Sequence, residues 1–112
     1  RLGVVQGAEL ATFLGLAGIG DLIATCTSRH SRNRKAGELL AQGLSPAQVE
    51  AAVGQVVEGI PTAHALHDLG NRLGIEMPVN ESVYSVLEGE RTVQECVADL
   101  MGRMPKAERE DF

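Results

Sequence analysis

The sequence predicts an all-α domain, a compact bundle of about five to seven helices with short connectors. Three observations predict it. Apolar residues recur at helical spacing in several separate stripes, capping residues bound those stripes, and no segment alternates apolar and polar residues over strand length.

In chain order, the first dozen residues read as the end, or all, of one helix through Val4, Val5, Ala8, Ala11 and Thr12. A glycine-rich stretch and a basic stretch follow. Ala36, Leu39 and Leu40 then suggest a helix that stops at Gly43. A shorter helix begins at Ser45, with Pro46 in its first position and Gln48 completing a capping box. Gln55-Val56-Val57-Glu58 is too short to be more than an extended connector. Leu66, Leu69 and Leu73 form a stripe entered after Pro61 and stopped by Gly74. Val79, Val83, Val86 and Leu87 form another, with Pro78 in its first turn and Gly89 past its end. Val93, Cys96, Val97, Leu100 and Met101 fall at i, i+3, i+4, i+7 and i+8, after a capping box of Thr92 and Glu95. The mixed charges of 105–112 read as a frayed tail. With no repeat and no long linker, 1–112 is expected to be a single helical domain.

Composition excludes several functions. Of 112 residues, 15 are acidic and 10 basic, for a formal charge of −5, which argues against nucleic-acid partners or an anionic membrane surface. One Tyr, two Phe and no Trp leave little for stacking on bases. No apolar run approaches the roughly 20 residues of a spanning helix, so no membrane insertion is expected. No secretory signal pattern opens the chain, and a start at Arg1 rather than Met suggests a fragment or a processed form. Cys26 and Cys96 make neither a disulfide framework nor a zinc spacing, and reduced thiols in a cytoplasmic protein are expected.

Two stretches do not fit simple helix packing. Gly15-Leu-Ala-Gly-Ile-Gly-Asp-Leu22 holds three glycines in six residues, costly inside a helix, which points to close backbone packing or a ligand's approach. Its order is G-x-x-G-x-G with no strand before it, so it does not meet the dinucleotide fingerprint. Locally, Asp21 reads equally as a helix N-cap. Ser28-Arg-His-Ser-Arg-Asn-Arg-Lys35 is basic, with no acid, in an acidic chain. The basic cluster invites an anion, and Ser31 is placed to cap the next helix, which would aim free N–H groups and the positive dipole end at the same point. Arg32 suits bidentate contact with phosphate, and Asn33 suits a hydroxylated ligand. A solvated basic helix start explains the same residues. His64 and His67, at i and i+3, lack a third ligand of suitable spacing, so no metal site is expected. Glu58 reads on its own as an exposed loop carboxylate.

Those same stretches carry a resemblance. The string from Gly15 to Ser28, then Ser31-Arg-Asn-Arg34, Gly43, and Val56-Val-Glu-Gly59 with Thr62-Ala63, closely resembles the bacterial NAD(P)-dependent glycerol-3-phosphate dehydrogenase family over almost the whole chain. The resemblance implies the helical C-terminal substrate domain of such an enzyme, of the 6-phosphogluconate-dehydrogenase-like kind, without the N-terminal Rossmann domain. It implies cytoplasmic reduction of dihydroxyacetone phosphate to sn-glycerol 3-phosphate for phospholipid synthesis, with NAD or NADP as cofactor in the complete enzyme. Carried over by residue, Asp21, Ser31, Arg32 and Asn33 correspond to substrate-binding positions, and Arg32, Val56 and Glu58 to the cofactor edge. The family's catalytic lysine has no counterpart here, since Lys35 and Lys106 lie outside its motif, so the chain alone is expected to be inactive and to bind cofactor poorly. Its expected partners are the substrate, the Rossmann domain and a possible homodimeric copy. The competing reading is a non-catalytic helical module that self-associates.

Overall fold

A computed structural model describes residues 1–103. Among the described residues the chain is helical with no strand. Its elements are α1 (Leu2–Val5), α2 (Leu10–Leu14), a π-helical segment (Leu16–Gly20), α3 (Asp21–Thr27), α4 (Arg32–Ala41), α5 (Pro46–Val53), α6 (Gly59–Leu73), α7 (Pro78–Leu87) and α8 (Val93–Met101). The tail expected at 105–112 lies outside the described residues.

The eight α-helices among the described residues exceed the expected five to seven, and the excess arises in the first 27 residues. The opening helix is two short ones, because Gly7 turns to φ 96°, a conformation only glycine adopts without strain. The glycine-rich stretch adds a π-helical turn, closed by the Gly20 N–H donating to the Gly15 carbonyl at 3.2 Å. A Cβ on Gly18 would collide with the backbone of Phe13. Of the two readings of that stretch, close backbone packing is the one the described residues display. Asp21 is the first residue of α3, after Gly20, and its side chain makes no capping bond.

From Arg32 onward the expected boundaries hold closely. Ser31 caps α4, and Ser45 with Gln48 forms a reciprocal box on α5. At α8 only half the box exists. The Thr92 hydroxyl accepts from the Glu95 N–H, but the Glu95 carboxylate takes the Thr92 hydroxyl rather than its backbone. Helix α6 starts two residues before Pro61 and ends at Gly74, φ 64°.

In the first 27 residues the π-helical segment packs on α2 and α3, and later in the chain α4 packs with α5, α6 with α7, α7 with α8, and α4 with α8. Ala36, Val49 and Val57 form the buried core, covered by Leu39, Leu40, Leu44, Val53 and Ile60. Val57 belongs to the connector before α6, so that connector is pinned into the core. Its neighbours Val56 and Glu58 face outward in consequence. The stripes of α7 and α8 are less covered than their periodicity suggests. Leu87 and Cys96 are buried, but Val79, Val83 and Val97 remain exposed along an apolar cavity of about 340 Å³.

Candidate substrate site

The pinned connector and the start of α4 face each other across an open cavity of about 470 Å³. Ser31, Arg32 and Asn33 line one side, Val56 and Glu58 the other, and Ala24, Thr25 and Ser28 of the α3 end close a third. Each position has a local cause. The Ser31 hydroxyl accepts from the Arg34 N–H at 3.2 Å and so ends the loop where α4 begins. The Arg32 guanidinium donates to the Val56 carbonyl at 3.3 Å. Asn33 Oδ1 accepts from the Gly59 N–H at 3.0 Å. Two bonds of opposite sense thus tie the α4 start to the connector.

The basic stretch divides by role. Arg34 and Lys35 both reach Glu38, at 3.4 and 4.0 Å, one turn along the same helix. Among the described residues Arg32 meets only a carbonyl and no carboxylate, so its positive charge stays at the cavity, beside the positive end of the α4 dipole. An anion with a planar face of oxygens, such as a phosphate, fits that wall.

Of the residues singled out in sequence, Ser31, Arg32, Asn33, Val56 and Glu58 are brought together around this cavity. Asp21 is not among the lining residues. It lies one turn before Ala24 and Thr25 on α3 and is exposed. Sequence reasoning passed over Thr25, Ser28 and His30, which also line the cavity, although Thr25 and Ser28 sit inside the motifs that carried the resemblance and His30 lies in the basic stretch. The Ser28 hydroxyl accepts from the His30 N–H at 3.2 Å, a local turn that brings the chain round into α4.

The other histidines serve a different region. His64 Nδ1 donates to the Ile60 carbonyl at 3.0 Å and Nε2 lies 2.7 Å from Glu88. Both partners only accept, so the doubly protonated ring satisfies both. The hydrogen bond to Glu88, then the one to Ile60, raise the His64 pKa above its ordinary value. His67 meets both Glu81 oxygens at 2.9 Å and stacks on Tyr84 at 3.7 Å between ring centres. These contacts fasten α6 to α7. Cys26 is exposed, Cys96 buried, and both are free.

Comparison with known proteins decides the family. The model of the NAD-dependent glycerol-3-phosphate dehydrogenase C-terminus matches residues 1–98. The chain belongs to this family. Curated relatives named glycerol-3-phosphate dehydrogenase [NAD(P)+] include one from Halalkalibacterium halodurans, 52% identical over all of this chain and 32% of its own length. Another, from Listeria monocytogenes, is 49% identical over all of this chain and 33% of its own length. The crystal structure of glycerol-3-phosphate dehydrogenase from Coxiella burnetii superposes with a TM-score of 0.87 at 38% identity, covering 92% of this chain and 32% of that one. The chain therefore spans about a third of the relatives it matches. No helix among the described residues is long and apolar enough to cross a membrane.

Proposed function

We propose that this chain is the substrate-side domain, residues 1–112, of an NAD(P)-dependent glycerol-3-phosphate dehydrogenase. The reaction is reduction of dihydroxyacetone phosphate to sn-glycerol 3-phosphate, in the cytoplasm, feeding phospholipid synthesis. One observation carries the reading: a guanidinium unpaired with any carboxylate among the described residues, a capped helix start and the Val56–Glu58 connector share one open cavity, large enough to admit a small phosphate ester.

In this reading Arg32 holds the phosphate, and Ser31 and Asn33 hydrogen-bond its oxygens or the substrate hydroxyls. Asp21, one turn up α3, orients the reacting end once a second domain closes the site. The nicotinamide cofactor, when bound, supplies the hydride. Among the described residues no strand leads into a glycine-rich turn, so this chain offers the cofactor an edge, made by Arg32, Val56 and Glu58, rather than a cradle. A Rossmann domain provides the rest.

The test is kinetic. In the complete enzyme Arg32→Ala is expected to raise the KM for dihydroxyacetone phosphate, by roughly tenfold or more for loss of a charged hydrogen bond. An unchanged KM defeats the reading. The purified 112-residue chain is expected to oxidise no NADH with this substrate, because positioning of both reactants is most of such catalysis.

A second reading has its own observation. The apolar cavity along Val79, Val83 and Val97 is a surface that favours association, as a homodimer of the enzyme or between isolated chains. A mass by light scattering that stays monomeric at all concentrations removes it.

A further inference from the structure

Asn33 carries two different hydrogen-bonding arms, a carbonyl oxygen and an NH2 group, and its role depends on which one faces the ligand. The structure removes the ambiguity. The Gly59 N–H can only donate, and it points at Asn33 from 3.0 Å, so the arm facing α6 is the carbonyl oxygen. The NH2 arm is left for the cavity that Asn33 lines, and among the described residues no acceptor takes it.

Gly59 is the first residue of α6, and its N–H is one of the donors that helix leaves unsatisfied at its start. Glu58, at the cap position, makes no side-chain cap, so Asn33 serves that end from another helix. The approach is close. A Cβ at position 59 would lie 2.8 Å from Asn33 Oδ1 and 3.1 Å from its Cγ. Any residue but glycine pushes the amide out of this orientation. The connector and the first residue of α6 thus set both ligand-facing groups: the Val56 carbonyl holds Arg32, and the Gly59 N–H holds Asn33.

We propose that Gly59 is a positioning residue that determines specificity: it turns Asn33 so that the site presents only N–H donors there, and accepts a ligand through an acceptor oxygen, as on a phosphate or a carbonyl. The inference rests on the proposed function, since it assigns polarity within that same cavity.

Two variants of the complete dehydrogenase test it, assayed with NADH and dihydroxyacetone phosphate. Asn33→Asp keeps an oxygen for the Gly59 N–H and keeps the shape, but replaces the donor with a negatively charged acceptor. Its KM is expected to rise by more than about tenfold with kcat within about threefold, since the lost contact is a hydrogen bond to a charged group. Gly59→Ala leaves Asn33 in place chemically and is expected to raise KM about fivefold by displacing it. Melting curves accompany both, and if Gly59→Ala does not fold, Asn33→Asp decides alone. An unchanged KM in either folded variant overturns the assignment, as does a fall in kcat with KM unaltered. A parent enzyme that does not turn over this substrate sinks the proposed function instead, which separates the two failures.

Discussion

Between Leu2 and Thr27 no side chain is buried, whereas from Arg32 to Met101 every helix buries at least one. The two regions are built on different principles. The later one closes around Val49 and Val57, with side chains from α4, α5 and the connector meeting in one core. The earlier one is a run of short turns whose close contacts involve glycine: Gly3 against the Phe13 ring and Gly18 against the Phe13 backbone. Its large apolar side chains, Leu14, Leu16, Leu22 and Ile23, stay exposed. Arg1 ties it to Glu76 in the α6–α7 turn. Stability therefore resides in the later region, and the candidate site lies on the seam, with α3 on one side and α4 and its connector on the other.

The contrast is sharpest in the side chains. Val57→Ala removes two buried methyl groups and is expected to cost about 2 kcal/mol. For a domain of this size that lowers Tm by roughly 8–16 °C in a calorimetric scan. Leu22→Ala, at an exposed position, is expected to stay within about 0.5 kcal/mol. Equal losses in the two variants would break the comparison.

Glycine substitutions probe the same difference from the backbone side. Gly18→Ala meets the Phe13 backbone and is expected to destabilise by about 1–2 kcal/mol, the scale of overpacking. Gly37→Ala, in mid-α4 with open space around the new methyl group, is expected to stabilise by about 0.5–1 kcal/mol. Urea unfolding of both reads the sign directly.

The smallest effect sharpens the description of the later region. His64 has a raised pKa in the folded state, through Glu88 first and Ile60 second. A raised basic group stabilises the fold fully below the unfolded-state value of about 6.5, and the contribution is lost as pH rises through the folded value. Both partners are about two-fifths exposed, so solvent screens the pair and the effect is small. NMR titration of His64 is expected to give a pKa above 6.5 that falls in Glu88→Gln. A titration unmoved by that substitution would show that the α6–α7 contact is not electrostatic.

Most of the helices after residue 31 were legible because each carries its own punctuation. Ser31, Ser45 and Thr92 start helices, and glycine at positive φ follows α4, α5, α6 and α7. Such signals act within one turn and need no tertiary partner. Periodicity was less informative about burial. It placed Val79, Val83 and Val97 on apolar faces but not how deeply those faces would be covered, which depends on neighbouring helices. The break at Gly7 and the π-helical turn escaped the periodic pattern, because both arise where glycine relaxes a local constraint.

For the site, residue types and local order came from the chain itself. Its charge, its Ser31 cap and its family motifs are linear features, and they placed Ser31, Arg32 and Asn33 at a helix start. What tertiary structure decided is the meeting of that start with Val56 and Glu58, more than twenty residues away. It also decided which arm of Asn33 is free. Local capping and periodicity depend on neighbours in sequence, but hydrogen-bond polarity at 3.0 Å exists only once the core around Val57 has fixed where the connector lies.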